Sequence, residues 1–290
     1  MIQAFKMAMK SISGNKFRAF LTMLGIIIGV MALVILVSLV SGATGTVTDT
    51  ISSLGSNLLS VTVSDDKGAP VTLDTLDEWM ADPQIGLAAP SATTTATGKY
   101  SSTTKTVTVY GATPAYAPIN GQTVLLGRFL TQADVENHTS VCIITEKTAE
   151  DMVGYTDCLG EEISLDGRKF TVVGILKNDD ESLTGILTKN SMIAYIPYTT
   201  LMRLSATVSS TITSFSVSAP EGGNMATTES AMKRLLLDRF EDDEDAFSLL
   251  SQNMLEDAMS SVTGILTVLL GGIAAISLIV GGIGIMNIML

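Results

Sequence analysis

The sequence predicts a membrane protein of the α+β class, in which two long transmembrane and stalk helices flank an extracytoplasmic α/β domain. Residues 20–40 run for 21 positions without a charged residue or a proline, and a helix of that length is about 30 Å long, the thickness of a bilayer's hydrocarbon core. Residues 260–290 form a second uncharged run. Between the two runs lie about 220 polar and acidic residues, which is enough for one or two folded domains.

The basic residues around the first apolar run indicate its orientation. Four lysines and arginines precede the run, and the first acidic residue of the chain is Asp49. Basic residues accumulate on the cytoplasmic side of a span, so we expect a cytoplasmic N-terminus and an extracytoplasmic location for residues 41–260 in a multi-pass protein of the cell membrane. A secretory signal peptide is the alternative, but its apolar part is usually shorter, about 7–15 residues.

The helical segments at the two ends of the chain have different predicted roles. Residues 1–15 predict a cytoplasmic amphipathic helix, because Ile2, Phe5, Met9 and Ile12 fall on one face and lysines on another. Residues 16–54 contain no proline and predict a first transmembrane helix that continues outward as a stalk. Residues 252–290 predict a second stalk and transmembrane helix.

The two stalks are expected to pack against each other, because the apolar residues of each fall three or four apart on one face. The predicted stalk contacts join Val47, Ile51 and Leu54 to Leu255, Met259 and Val262 in an antiparallel pair. Small residues let membrane helices approach closely. The glycines predicted to serve such packing are Gly25, Gly29, Gly281, Gly282 and Gly284.

The extracytoplasmic region predicts a domain interrupted by an insertion. Alternating apolar residues predict a strand at 57–63, a Thr-rich hairpin follows, and the Gly- and Pro-rich stretch 111–127 indicates a boundary. Asp166-Gly167 between two apolar runs is a strong hairpin signal. Because the first α/β pattern returns late in the region, residues 55–111 and 191–251 are assigned to one domain, and residues 112–190 to an inserted small α/β subdomain.

Two cysteines, Cys142 and Cys158, lie in the region placed outside the membrane. An even number of cysteines in an oxidising compartment favours a disulfide between them. The alternative is a pair of buried thiols, since Cys142 lies within the apolar run VCII.

Composition and motifs exclude several classes of function. Residues 41–261 carry 13 of the 17 Lys and Arg and all 29 Asp and Glu, a net charge of −16, which argues against nucleic acid as a partner. His138 is the single histidine, so we expect neither a metal site nor a histidine-dependent hydrolase. The acidic run 241–245 lacks the spacing of a calcium loop and is interpreted as a solvated connector. The chain contains no phosphate-binding loop, and we expect no enzyme and no cofactor in it.

Several stretches resemble the MacB-type permeases of ABC transporters, within the wider group that includes FtsX-like proteins. The resemblance covers essentially the whole chain in order. The stretches are KSISGNKFRAFLTMLGIIIGV (10–30), LGSNLLSV (54–61), GRFLTQAD (127–134), LGEEISLDGRKFTVVGIL (159–176) and ISLIVGGIGIMNIML (276–290).

The resemblance implies a first span, a large extracytoplasmic domain whose porter-like part is interrupted by a small α/β insertion, and three further spans. Because the chain ends inside an apolar run, we expect it to be part of a longer protein. The implied partners are an ABC ATP-binding subunit that carries ATP and Mg, a second permease copy, an extracytoplasmic adaptor protein and membrane lipid.

Three functions fit these observations. The first is a permease subunit of an ABC-type exporter, which couples ATP hydrolysis in the partner to extracytoplasmic movement and expels an antimicrobial peptide, a drug or a lipid-linked molecule. The second is an FtsX-like regulator that moves no substrate and switches an extracellular cell-wall hydrolase. The third is a membrane-anchored sensor of extracellular peptides. Transport into vesicles separates the first from the second, and the absence of an associated ATPase would leave the third.

Overall fold

The computed structural model describes residues 16–53, 58–178 and 191–289. The amphipathic helix predicted for residues 1–15 and the stalk residue Leu54 lie outside these ranges. The chain forms two compact units. The helical unit comprises the chain up to Asp49 and from Glu256 onward. The second unit comprises Thr50–Leu255 and is called the extracytoplasmic unit here, after its predicted location.

The elements of the described ranges alternate between short strands and helices, flanked by two long helices. In chain order they are α1 (Lys16–Ser53), β1 (Leu58–Val63), α2 (Leu73–Trp79), β2 (Ala88–Pro90), β3 (Ala92–Tyr100), β4 (Thr103–Ala112), α3 (Tyr116–Ile119), β5 (Val124–Gly127), α4 (Gln132–Glu136), β6 (Val141–Thr145), α5 (Glu146–Met152), β7 (Glu162–Leu165), β8 (Arg168–Leu176), β9 (Ile193–Pro197), α6 (Tyr198–Leu204), β10 (Ser214–Ser218), α7 (Met225–Arg239), a 3-10 turn (Glu244–Ala246), β11 (Phe247–Ser251) and α8 (Gln252–Met289).

Helices α1 and α8 have 38 residues each, which corresponds to about 57 Å at the α-helical rise. Within α1, Ile27–Gly45 is long and apolar enough to cross a membrane, with a mean hydropathy of 2.5 and none of its length buried. Helix α8 contains a shorter apolar stretch, Asp257–Ile273. The described residues thus hold one candidate span by length and composition, and the second predicted span stays a prediction.

A four-stranded antiparallel sheet, the open sheet, has the order β11-β1-β10-β2. Its strands alternate as the sequence pattern predicts, so Leu59 and Val61 of β1 and Phe215 of β10 are fully buried on one face. Helices α2 and α7 cover that face. The Trp79 ring of α2 lies 5.6 Å from the Phe215 ring, centroid to centroid. Thr72 precedes α2 as its N-cap, and the Thr72 and Thr75 side chains each accept a hydrogen bond from the other residue's backbone N–H.

A seven-stranded mixed sheet, the closed sheet, has the order β5-β8-β6-β9-β4-β3-β7. Strand β7 also pairs with β8, which closes the sheet on itself. Asp166 and Gly167 both have positive φ, 48° and 82°, as a tight hairpin turn between β7 and β8 requires. Phe170, Ile144 and Val109 form a core together with Met152 of α5 and Leu201 of α6.

The closed sheet corrects the boundaries predicted for the insertion. Residues 92–111 and 193–197 were assigned to the interrupted domain, yet they form β3, nearly all of β4, and β9 of the closed sheet. The stretch 111–127 is no boundary either, because its end forms β5 of the same sheet. The reason is long-range pairing: β4 pairs in parallel with β9, about 85 residues later in the chain, and alternation in the sequence does not reveal the partner of a strand.

Candidate functional site in the paired long helices

The helical unit contains a polar contact between α1 and α8. The Thr44 Oγ1 atom lies 3.1 Å from Thr263 Oγ1, a hydrogen-bond distance in which either hydroxyl could donate. Both side chains are half-buried amid mostly exposed apolar neighbours. Threonine hydroxyls form hydrogen bonds of this kind between neighbouring helices in membrane proteins. The contact shows that the two helices are neighbours at this level.

The hydroxyl groups of Thr44 and Thr263 make three hydrogen-bond contacts but have only two protons to donate. Thr44 Oγ1 also lies 2.9 Å from the Val40 carbonyl oxygen, and Thr263 Oγ1 lies 2.8 Å from the Met259 carbonyl oxygen. Each hydroxyl carries one proton, so two protons serve three contacts. When one threonine donates across to the other, it gives up the bond to its own helix. The cross-helix bond is therefore made in either of two equivalent ways.

An open groove of about 660 Å³ runs beside this contact. Three further hydroxyl or glycine positions of α8 face it, Ser260, Gly264 and Thr267, and Thr267 Oγ1 donates to the Thr263 carbonyl oxygen at 2.8 Å. Small and hydroxyl-bearing side chains are those that allow another helix to approach closely in a membrane. The groove lining is completed by Thr44, Met259, Thr263 and Val268.

The predicted stalk contacts are only partly described. Met259 is half-buried and lines the groove, whereas Val262 is 50% exposed and does not. The side chains of Val47, Ile51 and Leu255 lie outside what the structure describes, as does all of Leu54. The pairing of these six residues therefore stays a prediction. Thr44 and Thr263 were missed, because a hydroxyl in an apolar run has no sequence signal that names its partner.

The predicted glycine packing sites are likewise partly described. Gly29 is half-buried, and Gly282 has nothing within 4 Å of the position of an added Cβ. No described neighbour thus packs closely on Gly282. The surroundings of Gly25, Gly281 and Gly284 lie outside the described side chains, and the packing role of these glycines stays a prediction.

The two cysteines are free thiols in the structure, which corrects the disulfide favoured from the sequence. Both belong to the core of the closed sheet, where they pack as small apolar side chains. Burial raises the pKa of the Cys142 thiol, and the nearby Cys158 raises it further. Burial also raises the pKa of Cys158. Both thiols are therefore protonated and unreactive at neutral pH.

The buried carboxylate of Asp134 binds several other residues of the GRFLTQAD stretch (127–134). Asp134, at 7% side-chain exposure, accepts from Arg128 Nη1 at 2.6 Å, from the Thr131 N–H at 2.9 Å and hydroxyl at 2.7 Å, and from the Thr139 hydroxyl at 3.1 Å. Burial by itself would raise the pKa of Asp134, but these donors outweigh it and hold the pKa well below its usual range. The stretch therefore fixes a turn of the closed sheet.

Two glycines, Gly127 and Gly174, allow this turn to pack closely against the sheet. Gly127 has φ +77°, and a Cβ at Gly174 would lie 2.1 Å from the Arg128 carbonyl oxygen. His138 follows the turn with φ 50°. Across the described residues, no group of three or more His, Cys, Asp and Glu side chains is arranged to hold a metal ion.

The chain enters and leaves the extracytoplasmic sheets on neighbouring strands. Strand β1 follows α1, and β11 leads directly into α8. These two strands pair antiparallel, and Leu59 near the start of β1 is the register partner of Ser251 at the end of β11. The chain thus enters and leaves the open sheet at the same end of one strand pair.

Comparison with known proteins gives three kinds of match. The family described as MacB-like periplasmic core domain matches residues 19–235. The macrolide export ATP-binding/permease protein MacB of Neisseria gonorrhoeae is 29% identical over 296 residues, covering 100% of this chain and 45% of that protein. MacB 1/2 of Paracoccus denitrificans, of the same description, is 30% identical, covering 99% and 43%. The chain thus spans less than half the length of these relatives.

Two solved structures share the fold. The periplasmic region of MacB from Actinobacillus actinomycetemcomitans has a TM-score of 0.61 at 18% identity, covering 73% of this chain and 96% of that one. The extracellular domain of the noncanonic ABC-type transporter YknZ from Gram-positive bacteria has a TM-score of 0.54 at 21% identity, covering 67% and 100%.

Proposed function

The chain belongs to the MacB-like periplasmic core domain family, and from that premise we propose that it is the permease subunit of an ABC-type exporter. In this proposal the N-terminus is cytoplasmic, α1 and α8 cross the cell membrane, and residues 41–260 lie outside. ATP is hydrolysed by an ATP-binding subunit, with Mg, and two permease copies work together with an extracytoplasmic adaptor. The descriptions of the relatives as macrolide export proteins support export.

The observation that carries the proposal is the contact between Thr44 and Thr263. The hydrogen bond marks a level at which two helices of 38 residues each are in contact, so in this proposal a displacement of one helix is passed to the other there. Their chain connections enter β1 and β11, which are paired at Leu59 and Ser251. A displacement that starts at a cytoplasmic ATPase would therefore be delivered to one place in the open sheet.

The extracytoplasmic unit has the properties of a body that is moved as a whole. Both of its sheets contribute fully buried side chains to its cores, such as Leu59 of the open sheet and Ile143 of the closed sheet. Helix α6 joins the two sheets, because Tyr198 packs in the core of the open sheet and Leu201 in that of the closed sheet. Closely packed interiors transmit displacement with little internal deformation.

The proposed substrate is a molecule expelled from the extracytoplasmic side, such as an antimicrobial peptide, a drug or a lipid-linked molecule. The negative charge of residues 41–261 would raise the local concentration of a cationic substrate near the domain. No described feature favours the hydrolase regulator or the peptide sensor over export.

The experiment is export from membrane vesicles that contain the full-length protein and its ATP-binding subunit. We expect Ile51→Pro to abolish ATP-driven export, because a proline inside a helix costs about 3 kcal/mol and breaks α1 above the membrane. Ile51→Ala is the matched control, since it removes the same side chain and keeps the helix. Both variants are first tested for membrane insertion and for binding of the ATP-binding subunit.

Retention of full export by a normally inserted Ile51→Pro protein would show that α1 transmits nothing. ATP hydrolysis that never moves any substrate, but activates a cell-wall hydrolase, would replace export by regulation. Finding no ATP-binding subunit in association with the protein would leave the sensor.

A further inference from the structure

The open sheet and the closed sheet are joined by a narrow connection. Among the described elements, the chain passes between the two sheets at two places: Ser91 connects β2 to β3, and residues 205–213 connect α6 to β10. The Ser91 N–H donates to the Ser214 carbonyl oxygen at 2.9 Å, so the two crossings lie side by side. Ala92, the first residue of β3, packs against the cores of both sheets. The two cores therefore meet at this connection.

Helix α6 contributes side chains to each of the two cores. Tyr198 and Met202, four positions apart on one face, pack in the core of the open sheet. Leu201 and Leu204, three positions apart, pack in the core of the closed sheet. The Tyr198 hydroxyl also donates to the Ser209 carbonyl oxygen of the second crossing, at 3.1 Å. Because one helix carries side chains of both cores, a shift of α6 displaces both.

Gly111 is the point of the closed sheet against which α6 lies. It belongs to β4, and its register partner in β3 is Ala92. A Cβ at Gly111 would lie 2.6 Å from Leu201 Cδ2 and 3.2 Å from Tyr198 Cδ2. These distances are shorter than the ~3.5–4.0 Å of optimal contact between carbon atoms. A side chain at position 111 would therefore push on the residues that α6 places in both cores.

We propose that Gly111 positions the joint through which a movement of the open sheet reaches the closed sheet. Its lack of a side chain lets α6 lie directly on β4, beside the place where Ala92 enters the closed sheet. The proposal rests on the proposed function, in which the long helices move the open sheet at Leu59 and Ser251. Closely packed interiors transmit strain, so a displaced open-sheet core moves α6, and α6 moves the closed sheet. Gly111 acts through α6 and is a positioning residue.

Gly98 provides a matched control within the closed sheet. It lies in β3, and a Cβ there would lie 2.6 Å from Val107 Cγ2 and 2.8 Å from Met152 Cε. The crowding is as close as at Gly111, but Val107 and Met152 both belong to the closed-sheet core. A substitution of Gly98 therefore strains the closed sheet without a clash against α6.

The first test follows each sheet with its own probe during urea unfolding of the full-length protein in detergent. Trp79 fluorescence reports the open-sheet core, and pulse labelling of Cys142 and Cys158, located by peptide mass spectrometry, reports the closed-sheet core. In the wild type we expect the two midpoints to coincide. In Gly111→Val they should separate by about 0.5–1 M urea, because overpacking at the joint weakens the coupling between the cores. In Gly98→Val both midpoints should fall together.

The second test is the amount of substrate exported per ATP hydrolysed, in vesicles that contain the full-length protein and its ATP-binding subunit. Gly111→Val should lower this ratio about 2- to 30-fold, the range in which residues between two sites modulate their coupling. Gly98→Val should keep the wild-type ratio, because it leaves the joint intact. Gly111→Ala, with its smaller side chain, replaces Gly111→Val if the latter does not fold, and the same direction is expected in both tests.

Either coincident midpoints or an unchanged export ratio in the Gly111 variants would overturn the proposal. The coupling would then belong to another contact between the sheets, such as that of α3 with β2. Equal effects of Gly98→Val would also overturn it, because crowding alone would be the cause. A wild-type protein that exports nothing would overturn the proposed function, and the two midpoints would still decide whether Gly111 couples the sheets.

Discussion

The extracytoplasmic unit buries its large apolar side chains, whereas the helical unit exposes them. Phe170 and Phe215 are 1% and 0% exposed, but Phe17 and Val268 are 78% and 76% exposed. Burial from water can fold the first unit. In the proposed membrane location of α1 and α8 it would not hold the two helices together, because lipid is as apolar as their side chains. We therefore expect the extracytoplasmic unit to be stabilised by many weak contacts, and the helix pair by a few specific ones.

The largest effect is expected from a cavity in the outer unit. Phe170→Ala should lower the free energy of unfolding by about 3–5 kcal/mol, because Phe170 is fully buried in the closed sheet. Urea denaturation of the full-length protein in detergent, followed by Trp79 fluorescence, measures it. Trp79 of α2 packs in the core of the open sheet, so a lower midpoint shows that the two sheets unfold together, as the shared helix α6 predicts. An unchanged Trp79 transition would separate the two sheets into independent units.

A smaller effect is expected from the buried carboxylate. Asp134→Ala should cost about 1–3 kcal/mol, because it removes the charge-assisted hydrogen bonds that the buried carboxylate accepts from Arg128, Thr131 and Thr139. Glu162→Ala, which breaks the exposed ion pair with Lys169 in the same sheet, is the control and should cost about 1 kcal/mol or less. Equal costs of the two variants would contradict the structural role of Asp134.

The same carboxylate predicts a pH dependence with a definite sign. The pKa of Asp134 is lower in the folded than in the unfolded chain. Its contribution to stability is therefore fully present above the unfolded pKa of about 3.9, and it is lost as pH falls toward the folded pKa. Between pH 7 and pH 3 the wild type should lose more stability than Asp134→Ala, and parallel curves would rule this out.

A still smaller change in the free energy of unfolding is expected from variants of the helix pair. In a double-mutant cycle, Thr44→Val and Thr263→Val should show a coupling of about 0.6 kcal/mol, the average for hydrogen bonds between membrane helices. Unfolding of the full-length protein in mixed detergent micelles gives the four free energies. Thr267→Val is the control, because Thr267 lines the same groove but donates within its own helix. Its coupling to Thr44 should be near zero, and a coupling equal to that of Thr263 would contradict the contact.

The smallest effect is expected from reduction. Because Cys142 and Cys158 are free thiols, a reducing agent should leave the unfolding midpoint unchanged. A thiol reagent should label both cysteines only after unfolding, since burial keeps them protonated and inaccessible. A midpoint that falls on reduction would show that the closed sheet is held by a covalent bond.

Local patterns in the sequence were sufficient for most elements and insufficient for their arrangement. The alternation around Leu59 and the Asp166-Gly167 turn each depend on a few adjacent residues, and the structure confirms the strand and the hairpin that they predicted. The pairing of β4 with β9 depends on residues far apart, and the domain boundaries derived without it were wrong.

The candidate site was harder to predict for a related reason. The spacing of Val47 and Met259 follows from helical geometry, but the bond between Thr44 and Thr263 depends on how two separate helices meet. A threonine in an apolar helix usually bonds its own backbone, and both of these also do so. The sequence gives no sign of which threonine also reaches across.

The register match of Leu59 with Ser251 has a consequence for how such proteins can change. Backbones paired in an antiparallel ladder are about 5 Å apart, so the whole stretch between them is a cassette with adjoining ends. A few residues could bridge the gap if the cassette were removed, because closing so short a loop costs little entropy. Replacing the stretch between Leu59 and Ser251 with another domain whose ends lie as close together is therefore an engineering route that this strand pairing permits.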